Sequence, residues 1–173
     1  MSNNTISFVR KQFQEVHYWL EGTMGDVNTA QAHYQPQGKV NPIGAQYGHV
    51  LVSEDMFLAM AGGRKPLLAT SHANKTGLSQ PPPEAGDWST WARSVKVDLP
   101  AARAYAQAVY AATDAILGGM SDQDLERPFD LSFVGMGMQN VAAALNLTIL
   151  NDFSHTGEIS AIKGLQGAVG YKE

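Results

Sequence analysis

Between Thr5 and about Asn28, apolar side chains recur at Phe8/Val9, Phe13, Val16, Leu20, Met24 and Val27, with His17 at the border of the stripe. Spacings of three and four put them on one face of an amphipathic helix. The next stretch, Tyr34 to Pro42, carries two prolines and a glycine, and Asn41 followed by Pro42 fits an N-cap with proline at the first helical position. A second helix is predicted from Pro42 to about Ala61, stopped by Gly62-Gly63, with Ala45, His49, Val52, Met56 and Met60 on its inner stripe and Glu54 and Asp55 facing water.

Residues 63 to 87, with Gly77, Pro81-Pro82-Pro83 and Gly86, lack periodicity and read as a long surface connection. Helical pattern returns at Trp88 and Trp91, a pair expected to anchor this connection rather than to line a pocket. Asp98 and Pro100 mark the start of a third helix through Ala104, Ala108, Ala112, Ala115 and Ile116, which Gly118-Gly119 closes. Ser121 to Asp124 suits a short capped turn, and Phe129 to Gly137 an irregular or partly extended return. The fourth helix is predicted over about Met138 to Lys163. No segment alternates with period two over a whole strand, so the pattern gives an all-α fold, a four-helix bundle.

Composition narrows this reading. The 173 residues are 44% hydrophobic and 16% charged, which suits one folded domain spanning 1–173. A net charge of -4 offers no clustered cations for a phosphate backbone, so nucleic acid is not an expected partner. No window approaches the roughly 18 apolar residues of a membrane span, and the N-terminus lacks a leader pattern, so no membrane association and a cytoplasmic location are expected. Cysteine is absent, which removes disulfides, thiolate zinc sites and Cys nucleophiles. Any metal must therefore use His, Asp, Glu, Asn or Gln.

The candidate chemistry lies on the fourth helix. His155 shares a face with Val141, Ala144, Thr148, Asn151, Ile159 and Ile162, apolar at both ends and polar in the middle. Asn151 and His155 stand one turn apart and can point at one atom, as two histidines at that spacing do in zinc sites. Asp152 is the competing neighbour. His49 projects from the second helix toward the same interior. His17, His33 and His72 lack a partner at chelating spacing and read as structural or surface residues, His17 least clearly, and Met56, Met60, Met136 and Met138 read as core filler. Phosphate-loop, nucleophile-elbow and His-Glu-x-x-His patterns are missing.

The segment Asn41-Pro42-Ile43-Gly44-Ala45-Gln46-Tyr47-Gly48-His49, followed by Ser53-Glu54, resembles the second-helix motif of the DinB-like superfamily. Ser121-Asp122-Gln123-Asp124-Leu125 resembles that family's turn before the last helix, and His155-Thr156-Gly157-Glu158-Ile159 is similar to its His-x-Gly-Gln-Ile ending. The resemblance runs from about Phe8 to Gly167. It implies an up-down-down-up four-helix bundle, often a homodimer, with a divalent metal such as zinc or nickel held by three histidines. By position, His49 and His155 match two of these ligands, and the third falls on Asn151. An amide oxygen is a weaker donor than imidazole, so the site either binds metal through a modified set, with Asp152 as an anionic substitute that points about 100° away from Asn151 around the helix axis, or has lost the metal.

Two functional classes follow. In the first, the resemblance implies a metal-dependent enzyme, a thiol-dependent transferase or a hydrolase or isomerase, acting on a small-molecule substrate with a thiol cofactor. In the second, the chain is a non-catalytic helical module for small-ligand binding or dimerisation, and the two histidines and Asn151 form a buried hydrogen-bonded cluster.

Overall fold

The computed structural model describes residues 4–83 and 88–171 of the chain, and Gly86 of the predicted connection lies outside them. The fold is mostly helical. Four long helices, α1 (Asn4–Met24), α3 (Ile43–Ala61), α5 (Leu99–Gly118) and α6 (Val141–Leu165), are joined by short α2 (Thr29–Ala32) and α4 (Trp88–Ser94) and by a small hairpin of β1 (Pro128–Asp130) and β2 (Met138–Asn140). Helix α3 packs against α5 and α6, and α1 packs against the same two. No helix among the described residues is long and apolar enough to cross a membrane.

Several boundaries follow local chemistry closely. Asp98 caps α5 by accepting the Ala101 N–H, with Pro100 in the first turn and Gly119 at the end. Ser121 and Asp124 form the expected capping box, here on a 3-10 turn over Asp122–Glu126. Other boundaries depart from the pattern. The first helix stops at Met24 rather than running to Asn28, because the Asn28 side chain accepts the Gln31 N–H and starts the separate helix α2. Asn41 does not cap α3: Pro42, extended at ψ 150°, precedes its first turn. The last helix begins at Val141, since Met138–Asn140 pair antiparallel with Pro128–Asp130 and Asn140 then caps α6 through the Ala143 N–H at 2.9 Å. Within the connection, Leu67–Ala69 form a 3-10 turn and Leu78 pairs with Val97.

The inner stripe predicted for α3 is the largest correction. Ala45 and Val52 are buried, but Met56 and Met60 are 41% and 45% exposed, while Glu54 and Asp55 are 0% and 4% exposed. Helix α3 is apolar around nearly its whole circumference and is covered on two sides by α5 and α6, so hydrophobicity alone does not mark its outer face. Met136 and Met138, also predicted as core filler, are exposed on the hairpin.

The core divides into two apolar clusters. One gathers Leu20, Met24, Ile43, Leu51, Leu99, Val109 and Ile159 among others, and the second gathers Phe13, Leu58, Ile116, Leu117, Val141 and Leu145. Each long helix passes from one cluster to the other, and at the crossing stands a polar residue: His17 on α1, Glu54 on α3, Thr113 on α5 and Asp152 on α6. Helices α1 and α6 traverse the clusters in one order, and α3 and α5 in the reverse order. A polar belt therefore crosses the middle of the fold.

Candidate metal centre

Packing of α3 on α6 brings the three sequence-predicted residues together. His49 Nε2 lies 3.3 Å from Asn151 Oδ1, and the His49 and His155 ring centroids are 4.9 Å apart in an edge-to-face arrangement. The third residue is held from its other side: His155 Nδ1–H donates to Glu158 Oε2 at 2.9 Å, with Gln46 Oε1 also within 3.2 Å. This leaves the Nε2 lone pair of His155 available. Such a carboxylate behind an imidazole is the usual way a ligating histidine is oriented and made more basic. Neither Gln46 nor Glu158 was singled out by sequence reasoning, although Glu158 stands one helical turn from His155 and could have been found by that spacing.

The histidines open onto a cleft of about 190 Å³ lined by Asn41, Ala45, Trp88, Trp91 and Ala92. Trp88 meets His49 edge to face at 4.6 Å and Trp91 at 5.4 Å, so the pair predicted only to anchor the connection also walls the cleft. Trp91 does both, since its indole N–H donates to the Gln80 carbonyl. His33 is structural as expected, accepting the Val97 N–H, and His72 is half-buried between Ser71 and the Tyr105 ring.

Burial and the neighbouring His155 lower the His49 pKa to about 4. The imidazole is therefore neutral at physiological pH, the form that ligates metals. Its Nδ1 is buried without a partner, an unmet polar atom of the kind that functional sites tolerate. A consequence for stability follows from the lowered value. Between about pH 6.5 and 4 the unfolded chain protonates His49 while the folded chain does not, so unfolding takes up a proton and stability falls as pH falls through this window. The effect in metal-free protein is expected to be about 3 kcal/mol. Denaturant titrations at pH 4 and 7 of wild type and His49→Gln check it: the variant should lose most of this pH dependence, and equal pH slopes would refute the assignment.

Residues 12–159 match the family model of the DinB superfamily. The chain belongs to the DinB superfamily. The resemblance read from its motifs is thus borne out over most of its length. Among solved structures, this DinB chain is similar to a conserved protein from Enterococcus faecalis, with a TM-score of 0.78 and 19% identity, covering 93% of this chain and 96% of that one. That likeness supports the fold. No curated protein matches the chain significantly.

A second polar group lies deeper in this DinB fold. His17 Nε2 lies 3.0 Å from both Glu54 carboxylate oxygens, Thr113 Oγ1 donates to Glu54 Oε1, and Asn151 Nδ2 donates to Asp152 Oδ1 at 3.3 Å. His17 also stacks on Tyr110 with ring centroids 3.8 Å apart. Asp152 does not reach the cleft as a substitute ligand: it is 1% exposed and turned toward Glu54. Burial, then the charge of Glu54, push its carboxyl well above the ordinary carboxylate range. Asn151 thus faces both groups, its carbonyl toward His49 and its amide N–H toward Asp152. A side chain carrying an acceptor and two donors on one plane suits that double role.

Proposed function

We propose that this DinB-superfamily chain binds one divalent metal ion, zinc or nickel, through His49 Nε2, Asn151 Oδ1 and His155 Nε2, and acts as a metal-dependent enzyme on a small molecule held in the tryptophan-walled cleft. The observation that carries the reading is the 3.3 Å separation of His49 Nε2 and Asn151 Oδ1. Two donors each about 2.1 Å from one ion at a tetrahedral angle stand about 3.4 Å apart, so the pair fits a shared ion with little movement. The donor chemistry fits as well: two neutral imidazoles and a neutral amide oxygen suit a borderline metal.

The metal would supply Lewis acidity, lowering the pKa of a bound thiol or water. With no anionic ligand among the three, its positive charge would be little attenuated by the protein. The chain's own residues do the rest. Glu158 and Gln46 fix the proton of His155 on Nδ1 and so hold the ring's orientation. Trp88 and Trp91 present indole faces that bind an apolar portion of substrate and thin the water around it. A thiol-dependent transferase is the reaction class we favour, with hydrolase or isomerase chemistry at the same site as its neighbours.

The opposed order in which the helices traverse the two core clusters supports an up-down-down-up four-helix bundle. We also propose a cytoplasmic homodimer, supported by exposed apolar side chains at Phe133, Val134, Met136 and Met138 on the hairpin.

Equilibrium dialysis of wild type, His49→Ala and His155→Ala against zinc or nickel tests the metal site. Each variant is expected to bind one equivalent less than wild type. Equal metal content in all three would overturn the proposal and leave the histidines and Asn151 as a hydrogen-bonded cluster.

A further inference from the structure

The polar belt brings two buried carboxylates and an imidazole together. Glu54 and Asp152 are both buried, and among the described residues no lysine or arginine pairs with either. Among the described residues the basic side chain paired with Glu54 is His17, which is 13% exposed. One ligand atom from each of His17, Glu54 and Asp152 can be chosen so that all three lie within 4.8 Å of one another. Independently, Asp152 Oδ2 is buried and has no hydrogen-bond partner, although its companion Oδ1 accepts from Asn151. An orphaned carboxylate oxygen beside a second buried carboxylate is costly unless a cation or a proton lies between them.

We propose that His17, Glu54 and Asp152 form a second divalent-cation site, distinct from the cleft site and joining α1, α3 and α6. One nitrogen and two carboxylate oxygens suit zinc or manganese. Two anionic ligands, a neutral imidazole and a divalent ion sum to zero charge, which is the least costly total for a buried site. The surrounding contacts support ligation. Thr113 holds Glu54 Oε1 and Asn151 holds Asp152 Oδ1, orienting each carboxylate from behind as outer-shell donors do. A cleft of about 210 Å³ lined by Arg10, Phe13, Gln14, His17, Tyr110 and Thr113 gives access from the side of the fold where the half-buried His17 meets the surface. Because the three donors come from three helices, the ion would act as a cross-link of the fold rather than as part of the cleft chemistry.

The test uses the full chain carrying His49→Ala and His155→Ala, which removes the cleft site and keeps the two proposals separable. Equilibrium dialysis with zinc alone and manganese alone is expected to show about one equivalent bound, and adding the ion should raise the melting temperature reversibly with chelator. In this background Glu54→Gln and Asp152→Asn, which preserve shape, should weaken binding at least tenfold and abolish the melting shift. His17→Gln, at the exposed edge of the cluster, carries the same expectation if either buried variant fails to fold. No retained metal in the double variant, or binding indifferent to these substitutions in folded protein, would overturn the second site, whatever the cleft histidines do.

Discussion

Asp55→Ala is expected to destabilise the protein by about 4 kcal/mol, lowering its melting temperature by roughly 10 °C. Asp55 is 4% exposed and accepts three hydrogen bonds: the Leu67 and Leu68 backbone N–H groups at 2.8 Å each and the Tyr105 hydroxyl at 2.7 Å. Removing the carboxylate leaves a buried phenol without an acceptor and frees the 3-10 turn that begins the long connection. Hydrogen bonds to a charged acceptor contribute about 1.5–3 kcal/mol each, and stranding a buried donor adds its desolvation cost. The two backbone N–H groups can recover part of this by hydration, which keeps the expected total below the simple sum. Denaturant unfolding of the variant checks the value, and a loss under 1 kcal/mol would show that this carboxylate does not anchor the connection.

Asp55 also shows where the sequence was legible and where it was not. Strong local signals are legible: Asp98 with Pro100, the Gly118-Gly119 stop, the Ser121/Asp124 box and the stripe from Phe13 to Met24 all act within a turn of themselves, whereas Phe8, placed on that stripe, is exposed. The facing of α3 was not local. Its residues are apolar on every side, so the direction of Glu54 and Asp55 was decided by partners 12 to 59 positions away, namely Leu67, Leu68, His17, Tyr105 and Thr113. Two adjacent acids in so apolar a helix were the available hint that one acid, at least, needed a buried partner. The hairpin is legible only as a partly extended return, because three-residue strands offer too few positions for alternation to show.

The candidate centre was legible in part because a helix fixes the relation between positions four apart. Asn151 and His155 required only the last helix to be a helix, and His49 required only that α3 pack on it. The roles of Glu158 and Gln46 depended on which way the His155 ring turned, and the roughly 100° step from Asn151, legible in the sequence, is what turns Asp152 from the cleft into the belt.

The second large effect concerns the residue that departs from the family pattern. Asn151→His is expected to tighten zinc or nickel binding at the cleft site by more than about tenfold, since exchanging a ligand should exceed the 10–100-fold range controlled by outer-shell partners at its lower end. The same change removes the amide that donates to Asp152, so the metal-free variant should lose about 1 kcal/mol of stability while the metal-loaded variant regains it. Competition titrations with a chromophoric chelator, paired with melts in the presence and absence of metal, measure both. Unchanged affinity in a folded variant would mean that position 151 does not face the ion. The opposing signs matter: a position used only for packing would lower stability with and without metal alike.

The most direct test of the cleft site is a crystal structure of the wild-type chain soaked in zinc, with diffraction recorded on both sides of the zinc absorption edge. The expected result is an anomalous-difference peak within bonding distance, about 2.1 Å, of His49 Nε2, Asn151 Oδ1 and His155 Nε2, at the floor of the cleft walled by Trp88 and Trp91. A fully soaked crystal with no peak there, and with His49 still donating directly to Asn151, would contradict the account.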